Sequence, residues 1–202
     1  MGLAVSVDII SQVYDDDEGV EYYRSQFREL SAELAENGVT WTEPDTRAND
    51  RGRALLLSFG YSTLHYLRRV HALLTRGAEV TPVPPGEDLD MELERDESYM
   101  LASHLICHSD CDGYYVPVEF GDPLYLDAGS VGSSHALLRE LRECAPHIGV
   151  ELTADGELTD EEAKRVNDMA DGHPYQYELE AWILLFEAAR VSVASGHAVV
   201  FA

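Results

Sequence analysis

Residues 103–120 concentrate the side chains most able to do chemistry. His104, Cys107, His108, Asp110, Cys111 and Asp112 supply nitrogen, sulfur and oxygen donors within nine positions. Zinc needs three or four such groups converging at about 2 Å. The composition fits a divalent metal better than the spacing does. On a strand, His104 and His108 share a face but stand roughly 13 Å apart by backbone rise. Cys107 and Cys111 straddle a turn and do not form a CxxC knuckle. The competing reading is a polar hairpin in which Asp110 and Asp112 bond their own turn amides. The metal candidates are therefore His104, His108, Asp110 and Asp112, and a divalent metal is the cofactor they could hold.

Three further groups could bind or react. His65, Arg68 and Arg69 sit at helical spacing and form the most basic patch of the chain. With the Gly129–Ser134 turn, whose Ser133 and Ser134 open a helix, they could hold an anion; pairing of the arginines with neighbouring carboxylates, and N-cap chemistry at the serines, explain the same letters. The stretch 151–162 resembles the second half of a calcium loop through Asp155 and Glu162, but Glu151 and Thr153 stand where aspartates usually sit. A turn followed by a capping box, Thr159 with Glu162, accounts for it too. For catalysis, His65, His104, His108 and His135 could pair with Cys107, Cys111, Ser133 or Ser134. No complete catalytic motif is present, and nothing in the sequence brings any such pair together.

The elements that must position these groups alternate between strands and helices. Leu3 to Ile10 reads as a strand. The acid run Asp15–Glu18 then opens a helix from Val20 to Asn37, with Tyr23, Phe27, Leu30 and Leu34 on one face. That run could bind a divalent cation, but a solvated helix start explains it. Val39 to Trp41 is at most a short strand, and 43–53 is a polar loop. Ala54 to Phe59 is an apolar run of uncertain type. A second helix spans about 62–76, and 78–98 is a Pro- and acid-rich connection. Tyr99 to Cys107 and Tyr114 to Phe120 read as hairpin arms around Asp112-Gly113. Leu124 to Leu126 adds a short strand. Helices follow from Gly129–Ser134 to Cys144, from Thr159 to about Ala170 and from about Tyr175 to Ala194, then a closing strand over Ala198 to Phe201.

The formal net charge is −24, from 38 acidic and 14 basic residues, and Lys164 is the only lysine. Such a surface repels nucleic-acid backbones and anionic membranes and attracts a basic partner. Solubility, or adaptation to a salty cytoplasm, explains the same charge; cation storage and nucleic-acid mimicry are further readings. Three cysteines and the lack of a signal peptide or membrane-length apolar run point to a reducing cytoplasm.

Phe59 to Arg69, the 103–120 stretch, Gly132 to Leu138 and Phe186 to Arg190 resemble an uncharacterised family of small bacterial cytoplasmic proteins. The resemblance spans most of the chain. It implies a single domain and supplies no activity, cofactor or catalytic residue.

The reading is thus an α+β protein, one domain over 1–202. A small, mostly antiparallel sheet around a central hairpin is covered by four to five helices. The function expected is that of a soluble, acidic, non-enzymatic protein-binding module, for instance an immunity-type inhibitor. The partner expected is a basic protein, with neither nucleic acid nor membrane. The alternative is a metal-dependent or anion-binding enzyme, with its cleft between the 62–76 helix and the 104–114 hairpin.

Overall fold

The computed structural model describes residues 2–84, 86–169 and 171–201. Six strands form one sheet: β1 (Gly2–Val7), β2 (Ser58–Gly60), β3 (Gly113–Val116), β4 (Leu124–Leu126), β5 (Gly129–Ser133) and β6 (Val199–Phe201). Their order in space is β2-β1-β6-β3-β5-β4. Only β3 and β5 run parallel; the other pairs are antiparallel. Seven α-helices accompany it: α1 (Ile9–Gln12), α2 (Asp17–Glu36), α3 (Tyr61–Thr75), α4 (Glu92–Ser98), α5 (Ser134–Cys144), α6 (Asp160–Asn167) and α7 (Gln176–Ser195). The class is the α+β arrangement with a largely antiparallel sheet that the sequence implies. The helices beyond four or five are short, α1 having 4 residues and α4 having 7.

Strand alternation divides the core into two layers. Leu3, Val5, Phe59, Tyr115, Val199 and Phe201 face α3, α5 and α7. Tyr114, Val116, Val131 and Val200 face the other way, onto Phe27, Leu30 and Leu34 of α2 and onto Trp41. Helix α7 is buried on nearly every side, with Trp182 and Phe186 fully enclosed, because the sheet, α3, α5 and α6 all pack on it. Helix α2 keeps one side in water. Asp16 caps it by accepting the Glu18 N–H at 3.1 Å, and it stops at Asn37 before Gly38, whose φ is 78°.

The expected hairpin has only its second arm. Residues 104–112 form turns and bends, and β3 pairs with β5 and β6 instead of with a preceding strand. Side chains from elsewhere replace the missing ladder. Glu140 of α5 accepts the N–H groups of His104 (2.8 Å) and Leu105 (2.7 Å). Arg68 of α3 donates to the carbonyl of Leu105 at 2.9 Å, Tyr115 to that of His104 at 2.8 Å and Tyr125 to that of Cys107 at 2.8 Å. The turn ends at Gly113, as expected. Its φ is 113°, and a Cβ there would lie 2.5 Å from the Ser130 carbonyl oxygen, so only glycine fits.

Other boundaries also shift. Residues 39–41 form no strand, and 129–133 are the strand β5 instead of a turn. The expected helix end at Ala170 lies outside the described residues. Among the described residues, no helix is long and apolar enough to cross a membrane.

Candidate functional site

Helix α3 does pack on the 104–112 turns, and His65 marks the contact. Its Nδ1 lies 2.9 Å from both carboxylate oxygens of Glu94 on α4, and its Nε2 lies 3.2 Å from Asp110. Arg68, one turn along, is buried and donates to Glu94 and to the carbonyls of Leu105 and His108. Arg69 points elsewhere, donating to the Thr81 carbonyl at 2.8 Å. Ser133 caps α5 through the Ala136 N–H, and buried Ser134 bonds Ser192 at 2.8 Å. The five anion candidates are thus all tied to internal partners, His65 and Arg68 sharing Glu94.

The histidines of the metal candidates are similarly occupied. The Ser133 N–H donates to His104 Nδ1 at 2.9 Å, so the ring proton sits on Nε2 and bonds the Gly121 carbonyl at 2.9 Å. Buried His108 lies against the carbonyls of Ser109 and Tyr114 and stacks on Tyr115 at 4.2 Å. Burial pushes its pKa down to about 4, so the ring is neutral near pH 7. Asp112 lies in the exposed tip of the turn. In the 151–162 stretch, a Leu152–Leu158 bridge makes a small hairpin with Asp155 at its tip. The Glu162 carboxylate accepts from the Glu151 N–H and from Arg165, and Thr159 caps α6 as the capping-box reading requires.

The group best shaped for a metal is one the sequence does not signal. Asp8, Glu43 and His197 bring one potential ligand atom each to within 4.8 Å of one another; no other group of three meets this among the described residues. Asp8 also accepts the Ala48 N–H, and Glu43 the Ala198 N–H. His197 Nδ1 stands 2.6 Å from Glu43. Burial pushes the Glu43 pKa up, against the pull of the Ala198 amide and of His197. The trio joins the end of β1, the 41–48 segment and the start of β6, which lie far apart in sequence.

Two groups of acids contrast across the sheet. On the α7 side one cluster is held by arginines. Glu187, nearly buried, meets Arg53 at 2.6 Å and Arg190 at 2.7 Å. Arg190 also reaches Asp50 at 2.8 Å, Arg53 reaches Asp160 at 3.0 Å, and Arg165 reaches Glu162 at 2.6 Å. Lys164 pairs with Asp168. On α2 the pattern reverses. Asp15, Asp16, Asp17, Glu18, Glu29 and Glu36 are exposed and meet no cation among the described residues; only Glu21 does, through Arg28 at 2.9 Å. Half-buried Glu33 accepts the Ala128 N–H.

Helix geometry makes a ridge of these groups. At 3.6 residues per turn, Glu18, Tyr22, Glu29 and Glu36 lie within about 40° of one another, opposite Phe27 and Leu34. Glu18 to Glu36 spans about 27 Å along the axis. The i+7 and i+11 spacing of glutamates opposite the apolar stripe was the signal available in the sequence; attention to the Asp15–Glu18 run alone misses it.

A family model described as "Putative DNA-mimic protein" matches residues 1–201. No curated protein and no solved structure matches the chain.

Proposed function

The chain belongs to the family described as "Putative DNA-mimic protein", and from that membership we propose that it binds a DNA-binding protein on the surface that protein offers to DNA. The family also corrects the partner read from charge alone. A generic basic protein, with nucleic acid left out, does not survive a description in which nucleic acid is the thing imitated.

The observation that carries the reading is the α2 ridge, where carboxylates stand in water without cations. Each strand of duplex DNA presents a phosphate about every 3.4 Å along the axis. From Asp15 to Glu36 there are eight acids (15, 16, 17, 18, 21, 29, 33 and 36). Six of them stand in water without a cation among the described residues, Glu21 being paired with Arg28 and Glu33 half-buried against Ala128, so over the length of such a helix there is one free carboxylate per about 5–6 Å. The segment therefore carries more than half the charge density of one phosphate strand, largely on a preformed, rigid rod, so little ordering is needed on binding. Exposed Tyr22 adds an aromatic anchor within the line of charge. Occupation of the partner's DNA surface excludes DNA, so the complex is inhibitory by simple competition.

The test is competition. The full chain is immobilised, cell extract is passed over it at low salt, and retained proteins are challenged with duplex DNA. Elution of a DNA-binding protein by duplex, and its weaker retention by a Glu18→Gln/Glu29→Gln/Glu36→Gln variant, supports the reading. A retained protein that holds duplex and this chain at the same time overturns it, as does retention of no DNA-binding protein.

A further inference from the structure

We propose that Asp8, Glu43 and His197 hold one divalent transition-metal ion, zinc being the best fit, as a clasp between β1, the 41–48 segment and β6. The donor set is one imidazole nitrogen and two carboxylate oxygens, which zinc takes at about 2.0–2.2 Å. His197 Nδ1 stands 2.6 Å from Glu43 Oε1 and 3.9 Å from Asp8 Oδ1, and ligand atoms of all three lie within 4.8 Å of one another. Ligands around a tetrahedral zinc stand about 3.4 Å apart. The two gaps to the imidazole bracket that value.

The two carboxylates are already oriented. Asp8 accepts the Ala48 N–H through Oδ2 at 2.9 Å, and Glu43 accepts the Ala198 N–H through Oε2 at 2.9 Å. Each keeps its other oxygen for the space beside His197 Nδ1. Outer hydrogen bonds of this kind are the usual support of ligating carboxylates. The imidazole is prepared as well. His197 is 1% exposed, and its Nε2 has no hydrogen-bond partner among the described residues. An ion on Nδ1 requires the ring proton to sit on Nε2. No bond at Nε2 has to be broken to place it there.

Charge gives the reason for an ion. Asp8 is 8% exposed, and the Glu43 side chain 6%. Neither meets an arginine or lysine among the described residues; His197 is their one ion-pair partner. With His197 neutral, two buried carboxylates face backbone amides and at most one ring N–H. With His197 protonated, one negative charge is left over, and the Nε2 proton is buried without an acceptor. Buried charge without full compensation is costly. A dication cancels both carboxylates at once.

The surroundings admit an ion and give it something to hold. Asp8 lines a cavity of about 290 Å³ together with Ser11, Gln12, Ala48 and Arg51. From that side an ion can enter, and a water can complete the fourth position that three protein ligands leave. Two residues before Glu43, the Trp41 indole donates to the Gly196 carbonyl at 3.0 Å, and its ring meets Phe27 of α2 at 5.9 Å. An ion on Glu43 therefore fixes the segment against which α2 is seated. The inference rests on these residues and not on the DNA-mimic reading.

The test is titration of the chelator-treated full chain with zinc chloride, followed by calorimetry and by nitrogen-15 NMR of the eight histidines. The expected result is one zinc per chain, a His197 Nδ1 resonance that moves with the first equivalent, and a raised thermal transition. Glu43→Gln keeps an acceptor for the Ala198 N–H, so it should fold, and it should bind zinc at least about a hundredfold more weakly. Asp8→Asn keeps the acceptor for Ala48 and should behave alike. Glu18→Gln/Glu29→Gln/Glu36→Gln removes exposed carboxylates only and should leave the affinity unchanged, which separates the site from loose cation binding by an acidic surface. A wild-type chain that takes up no zinc overturns the proposal. So does a first equivalent that moves another histidine, or that binds folded Glu43→Gln equally well. The NMR measurement is made on the wild-type chain and decides the matter even where neither variant folds.

Discussion

The two sides of the sheet use the same acidic residue types in opposite ways. On the α7 side, Glu187 is nearly buried and its charge is compensated by Arg53 and Arg190. On α2, Glu18, Glu29 and Glu36 are exposed without a cation among the described residues. A carboxylate inside a network holds the 50–53 segment and α6 against α7. A carboxylate in water holds nothing within the molecule and leaves its field for another. Net charge alone cannot separate the two kinds; geometry does.

The sharpest way to break this comparison is to remove the paired kind. Glu187→Ala takes the buried carboxylate from half-buried Arg53 and Arg190, leaves them only the exposed Asp160 and Asp50, and should cost up to about 3–5 kcal/mol in urea unfolding. A cost below about 1 kcal/mol would place Glu187 with ordinary surface ion pairs. The ridge should respond in binding. Glu18→Gln/Glu29→Gln/Glu36→Gln should slow association with a DNA-binding partner about tenfold at low salt, with the difference shrinking as salt rises. An unchanged rate would detach α2 from recognition.

Acid titration sharpens the contrast further. Burial alone would push the Glu187 carboxyl up, but Arg53 and Arg190 outweigh it and hold it below its ordinary value. Arg190 holds Asp50 down, and Arg165 holds Glu162 down. Groups with depressed folded pKa values contribute stability that is present above the unfolded value and lost as pH falls through the folded one. Melting temperature should therefore drop below about pH 4, where unfolded carboxylates protonate, and Glu187→Gln should flatten that limb. Glu178 has the opposite sign. Burial raises its pKa, so its contribution is lost as pH rises through the folded value, and Glu178→Gln should gain stability at neutral pH relative to acid. The smallest effect belongs to the ridge taken singly: Glu36→Gln should alter unfolding free energy by less than about 0.5 kcal/mol.

Local patterns were legible in the sequence wherever one element decides its own fate. The α2 face of Tyr23, Phe27, Leu30 and Leu34, its stop at Asn37-Gly38, the Thr159 cap and the α7 stripe all follow from spacing of 3.6 and from end chemistry. The 104–112 turns were not legible. Their alternating pattern resembles a strand, and what overrides it comes from Arg68, Glu140, Tyr115 and Tyr125, on four other elements. The same holds for Asp8, Glu43 and His197, whose meeting depends on how β1 and β6 pair. The candidate anion and metal residues were chosen by type, and most of their polar atoms turn out to serve neighbouring backbone. The α2 ridge was within reach, since its glutamates lie opposite a stripe already recognised.

The place of β6 in the sheet bears on how the chain is made. Val5 pairs with Phe201, and Tyr115 with Val199, so β6 alone joins β1 and β2 to β3, β5 and β4. During synthesis β1 and β2 emerge first and must wait, unjoined to the rest, until about 140 further residues have left the ribosome. Loop closure over so long a span precedes any reward from the contact, which slows assembly. The strong like charge of the emerging chain then has a second use: it keeps waiting, half-built sheets of neighbouring ribosomes from sticking to one another.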